Sequence, residues 1–177
     1  MANESAIEKV LISQERLQER VSQLGREISQ AYAGKDLIIV SMLKGSFIFA
    51  ADLLRALDIN AAIDFMAISS YAGQSGSGVV RITKDIEASI TDRNVLLVED
   101  IIDTGLTANY LLRVLRQRNP AGIEVCALLD KSARRIIDLP IAYRGFEIPD
   151  VFVVGYGMDY QQQYRNLPYV AVLRPGG

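Results

Sequence analysis

The feature that most constrains this chain is a series of short, mostly unbroken apolar runs: Leu37–Met42, Ala61–Ser69, Val95–Val98, Ile123–Leu129, Val151–Val154 and Tyr169–Leu173. A strand with one face in water alternates apolar and polar residues, whereas runs this continuous suit strands buried on both faces. Helical patterns fall between some of them. Leu17, Val21, Leu24 and Ile28 make an apolar stripe that predicts a helix over 14–33, with Ser13 as N-cap and Gly34 as stop; a short apolar piece, Val10–Ile12, precedes it. Two more helices are expected over 46–57 (Phe47, Ala50, Ala51, Leu54) and 106–118 (Leu111, Leu112, Leu115). Buried strands alternating with helices imply an α/β fold, a central parallel sheet flanked by helices. The length suits one domain, and no repeat or shift of composition marks a linker, so residues 1–177 are expected to form a single domain. After Asp130 helix signals thin out and Pro and Tyr become frequent, which suggests a small subdomain.

Composition excludes several classes of chemistry. There is no histidine, which removes Ser-His-Asp and Cys-His catalysis, histidine-ligated zinc and any imidazole acid or base. Proton transfer then falls to Asp, Glu, Lys, Tyr or water, and a metal should be a hard, oxygen-ligated ion such as magnesium. The 19 basic and 21 acidic residues balance to −2, so no nucleic-acid or membrane partner is expected. The longest uncharged stretch, Phe65–Val80, is rich in Gly, Ser and Gln and cannot be a membrane span. Met1-Ala2-Asn3-Glu4 lacks the basic start and apolar run of a secretory signal, and the one cysteine, Cys126, lies in an apolar run. Both fit a cytoplasmic protein with a buried thiol.

The chemistry concentrates in Val95-Leu96-Leu97-Val98-Glu99-Asp100-Ile101-Ile102-Asp103-Thr104-Gly105-Leu106-Thr107. A buried strand ends in paired carboxylates, at the end of a parallel sheet where ligands bind. Asp103 to Thr107 then turn into a helix, offering free amides, hydroxyls and the positive dipole end to a phosphate. Phosphate beside carboxylates is coherent if the carboxylates take hydroxyls or magnesium; a ribose 5-phosphate offers both parts. An Asp/Thr helix cap beside an incidental acidic pair would be the plainer reading of a lone pair but falls well behind with thirteen residues in order. A receiver domain, whose first strand also ends in paired acids, should carry that pair near its start and a matching phospho-acceptor Asp at a following strand end. Residues 70–78, Ser-Tyr-Ala-Gly-Gln-Ser-Gly-Ser-Gly, read either as a long hairpin tip or as a lid.

This thirteen-residue stretch resembles the phosphoribosyl pyrophosphate (PRPP) motif of the type I phosphoribosyltransferases. Further motifs, Ser41-Met42-Leu43-Lys44-Gly45, Ser70-Tyr71, Leu128-Leu129-Asp130-Lys131, Gly145–Asp150, Phe152–Tyr160 and Tyr164-Arg165-Asn166-Leu167, resemble the bacterial hypoxanthine–guanine branch, over about residues 10–174. The resemblance implies a hood built from the chain ends and purine salvage: transfer of ribose 5-phosphate from PRPP to N9 of hypoxanthine or guanine, giving IMP or GMP and pyrophosphate. It implies PRPP binding by Lys44, Gly45, Glu99, Asp100, Asp103, Thr104, Gly105, Leu106, Thr107 and Arg165, with a cis peptide at Leu43–Lys44. Ser70 and Tyr71 would belong to a mobile loop over the reacting centre. Lys131, Phe152, Val153 and Asp159 would form the purine site. Magnesium would be held by Glu99, Asp100 and Asp159, and Asp103 would exchange a proton near N7. A homodimer or homotetramer is usual in the family. Leu106 stands where side chains vary, so its amide is expected to bind, and Val151 stands where some relatives carry lysine. A PRPP-sensing regulator that binds nucleic acid would need a basic face, which the balanced charge does not favour; a transferase for orotate or adenine fits the PRPP motif but not Lys131 and Phe152.

Overall fold

The structure is a computed structural model that describes residues 6–71 and 79–174. In chain order the elements are β1 (Ile7–Ile12), α1 (Gln14–Ala31), β2 (Leu37–Leu43), α2 (Phe47–Arg55), β3 (Ala61–Tyr71), β4 (Val79–Lys84), β5 (Asn94–Ile102), α3 (Leu106–Arg116), β6 (Gly122–Asp130), a 3-10 turn (Ser132–Arg134), β7 (Tyr143–Glu147), β8 (Val153–Val154) and β9 (Val170–Leu173). The six-stranded sheet runs β4-β3-β2-β5-β6-β7, parallel throughout except for the antiparallel edge strand β4.

The continuous apolar runs are explained by the two layers they separate. Leu37, Ile39, Leu96, Val98, Cys126 and Leu128 pack with α1 and α2 through Leu17, Leu24, Phe49 and Leu53. Their neighbours Ile38, Val40, Val95, Leu97, Val125 and Ala127 pack on the other face with Leu111, Leu112 and Leu115 of α3. Successive residues of a strand point to opposite faces, so each strand needs an unbroken run to fill both layers. The Ser13 side chain accepts from the Arg16 amide at 3.4 Å and starts α1, which ends at Ala31 before Gly34 (φ +74°). Cys126 is fully buried, and burial pushes its thiol pKa well up.

Three expectations are corrected. The β-strand Tyr143–Glu147 extends the parallel sheet where only a motif was seen. The strand expected over Val151–Val154 is confined to Val153–Val154. The apolar piece Val10–Ile12 is the end of a strand that begins at Ile7, hidden in sequence by Glu8 and Lys9. That strand pairs with β9, and β9 with β8, in a three-stranded sheet with its own small core of Ala6, Val154, Tyr164, Leu167, Ala171 and Leu173. Among the described residues no helix is long and apolar enough to cross a membrane.

Candidate active site

The strand after β2 in the chain, β3, lies on one side of it, and β5 lies on the other. The crevice at the carboxyl ends of β2 and β5 is therefore a switch point, where open α/β sheets bind ligands. Two adjoining cavities occupy it. The smaller, about 240 Å³, is lined by Glu99, Asp100, Asp103, Thr104, Gly105 and Thr107. The larger, about 420 Å³, is lined among others by Lys44, Lys131, Arg134, Phe152, Asp159 and Arg165. Asp100, Ile101 and Asp103 line both.

The smaller cavity is lined by a helix start whose geometry suits an anion. Gly105, at φ +83°, caps α3 in the left-handed region that a side chain disfavours. The first bond of the α3 ladder runs from Asn109 N to Gly105 O at 2.9 Å, so the amides of Thr107 and Ala108 precede the ladder. The amide of Leu106 makes a long contact, 3.4 Å, with Thr104 Oγ1, and its side chain is exposed.

Glu99 is buried, which pushes its carboxyl well above the usual carboxylate range, and the neighbouring Asp100 charge adds to the shift. Asp100 is pushed up to about 6, mainly by burial and in part by the charge of Asp159, against its backbone hydrogen bonds and the charge of Arg165. A carboxylate pair short of positive charge is suited to a hard divalent cation, and the donors are all oxygen. Among the described residues no three ligating side chains gather at one point. Asp159 instead pairs with Arg165 at 2.6 Å. The residues fit magnesium held by one or two carboxylates and completed by substrate oxygens.

The end of β2 comes to this pair through a glycine. Leu43–Lys44 is a cis peptide, Lys44 is exposed on the cavity, and a Cβ on Gly45 would fall on Asp100 Oδ2. A Cβ on Gly157 would likewise fall on the Gly45 carbonyl, so three segments meet without room for side chains. Forced overpacking costs about 1–3 kcal/mol, so Gly45→Ala should lower the stability of the fold by that amount, read from the denaturant midpoint. An unchanged midpoint would show that the contact yields freely.

In the larger cavity Lys131 is only 8% exposed, 3.8 Å from Asp150, and its amide donates to Ile102 O at 2.9 Å. The ring of Phe152 is 54% exposed and packs edge-on to Tyr160 at 5.8 Å between centroids. Ile101 and Phe152 give the cavity apolar walls, and Val153, buried in β8, lies beside them. Ser70 and Tyr71 end β3 opposite Val80 and Val79; their side chains and residues 72–78 lie outside the described residues.

Sequence reasoning missed Arg134. Its guanidinium lies 2.9 Å from Asp103 Oδ1 and 3.2 Å from Asp150, on the wall of the larger cavity. Nothing in the residues around Arg134 announces these partners, although its place three residues after Lys131, past a strand end, could have drawn notice.

The phosphoribosyl transferase domain family matches residues 12–161. The hypoxanthine-guanine phosphoribosyltransferase of Bacillus subtilis is 46% identical over 170 residues, 96% of this chain and 94% of that protein. The bifunctional protein TilS/HprT of Listeria monocytogenes is equally similar, 46% over 170 residues; the match covers 96% of this chain but only 26% of that longer relative. A solved structure of a hypoxanthine phosphoribosyltransferase from Staphylococcus aureus superposes with a TM-score of 0.93 at 41% identity, covering 99% of this chain and 97% of that one. Likeness that runs nearly end to end, in sequence and in backbone, places the chain in the phosphoribosyl transferase domain family, within its hypoxanthine–guanine phosphoribosyltransferase branch.

Proposed function

We propose that this chain transfers ribose 5-phosphate from PRPP to N9 of hypoxanthine or guanine, giving IMP or GMP and releasing pyrophosphate in purine salvage. The observation that carries this reading is the meeting of the two cavities at Asp100, Ile101 and Asp103. One side has a phosphate cradle and acidic donors, the other a buried lysine and an open aromatic ring.

The loop Thr104–Thr107 binds the 5′-phosphate through its amides and hydroxyls. Glu99 and Asp100 hold the ribose hydroxyls, while Lys44, Gly45 and Arg165 hold the pyrophosphate. Phe152 stacks on the base, Val153 contacts it through its backbone, and Lys131 Nζ donates to the 6-oxo group. Asp103 takes the proton from N7 as N9 bonds to C1 and passes it to solvent, giving it back to N7 only in the reverse reaction. These remote contacts keep N9 in line with C1 as the C1–O bond breaks toward an oxocarbenium-like centre. Magnesium, for which Glu99, Asp100 and Asp159 are the candidate donors, neutralises the leaving pyrophosphate when bound. The same reading carries one domain over residues 1–177, a homodimer or homotetramer, and a cytoplasmic location.

A spectrophotometric assay with PRPP and each base in turn tests the proposal. Nucleotide should form from hypoxanthine, and from guanine to some degree, should stop in excess chelator and should return with magnesium. Absence of product with both bases would overturn the reading; full turnover in chelator would overturn the metal assignment alone.

A further inference from the structure

Arg135 has no part in the mechanism above, yet it packs on the Gly105 loop and pairs with Asp130, the residue before Lys131. Its side chain lies on the phosphate loop: a Cβ on Gly105 would come within 3.1 Å of Arg135 Cδ and 3.7 Å of its Nη1. The backbone that follows is stitched to the same loop, with the amides of Ile136 and Ile137 donating to Thr104 O at 3.0 and 3.3 Å. From behind, Arg135 Nη2 pairs with Oδ1 of Asp130, a carboxylate only 1% exposed, whose Oδ2 lies 2.9 Å from Arg144 Nε. Asp130 is the last residue of β6 and the neighbour of Lys131.

The ion pair engages Nη2 alone. Arg135 Nε and Nη1 are buried and find no acceptor among the described residues. Buried donors on a charged group are costly to leave idle, so these two call for a reason. The loop beneath them receives a phosphate dianion, and its own side chains, Thr104, Leu106 and Thr107, bring no positive charge. A guanidinium packed against that loop in a poorly solvated place acts on a bound dianion without touching it, because the attraction is weakly screened there.

We propose that Arg135 is a positioning residue for the ribose phosphate: it sets the charge and the shape of the Gly105 loop, and through Asp130 it ties that loop to the strand end bearing Lys131. This rests on the phosphoribosyl transfer reading.

The test is the Kd of inosine divided by the Kd of IMP, measured by calorimetry, which isolates what the 5′-phosphate adds. Arg135→Met and Arg135→Gln should lower this ratio about tenfold, with the Kd of inosine nearly unchanged. Arg135→Lys, which keeps the charge, should restore most of the ratio. Parallel weakening of inosine and IMP would overturn the proposal by reducing Arg135 to packing, as would an unchanged ratio or the failure of all three variants to fold. A wild-type protein that binds neither compound would overturn the transferase reading instead.

Discussion

Asp103→Asn should lower kcat for nucleotide formation by about 10²–10⁴-fold, the usual loss when a positioned acid–base group is removed. The carboxylate lines both cavities, where the two adjoin. Its Oδ1 is buried and ion-paired with Arg134 Nε at 2.9 Å, outside hydrogen-bonding geometry. A carboxylate held in place where the two cavities meet is positioned for the proton exchange at N7 proposed above. Asparagine keeps the size and the loop contacts, so the Kd for PRPP should change by no more than a few-fold. Single-turnover rates with saturating PRPP separate the two effects; a near-normal rate would reduce Asp103 to a loop residue.

Discrimination against adenine should be about 10⁴-fold or greater in kcat/KM relative to hypoxanthine. Lys131 is buried, and an ammonium carries donors only. A 6-oxo group satisfies it, whereas a 6-amino group sets N–H against N–H in a place with little water. Asp150 Oδ1 lies 3.8 Å from the ammonium. Lys131→Gln should narrow the gap, since an amide can present either a donor or an acceptor. Comparable kcat/KM for the two bases in the unmodified enzyme would refute the role given to Lys131.

What could be read in advance was what sequence neighbours encode. Helix α1 carries its period and its Ser13 cap within twenty residues, and the acidic pair, turn and helix start of Glu99–Thr107 are contiguous, so spacing exposes both. The edge strand Tyr143–Glu147 has Arg144 and Gly145 at its centre and pairs on one side only, so it shows neither an apolar run nor clean alternation. The meaning of Gly45 appears only when β2 and β5 stand side by side and Asp100 leaves Gly45 no room for a Cβ. Arg134 and Arg135 were silent for the same reason: their partners Asp103, Asp130 and Asp150 reach them through the fold of the chain. Charged side chains have no periodic signature, and tertiary neighbours decide what they do.

The pairing of β1 with β9 places Ile7 opposite Leu173, so the small sheet joins segments from almost the whole length of the chain. Contacts between distant segments are slow to form, because the loop between them must be closed first. During synthesis the Glu99–Thr107 segment emerges well before Phe152 and β9, so the sheet that joins β1 to β9 is the last part of the fold able to close.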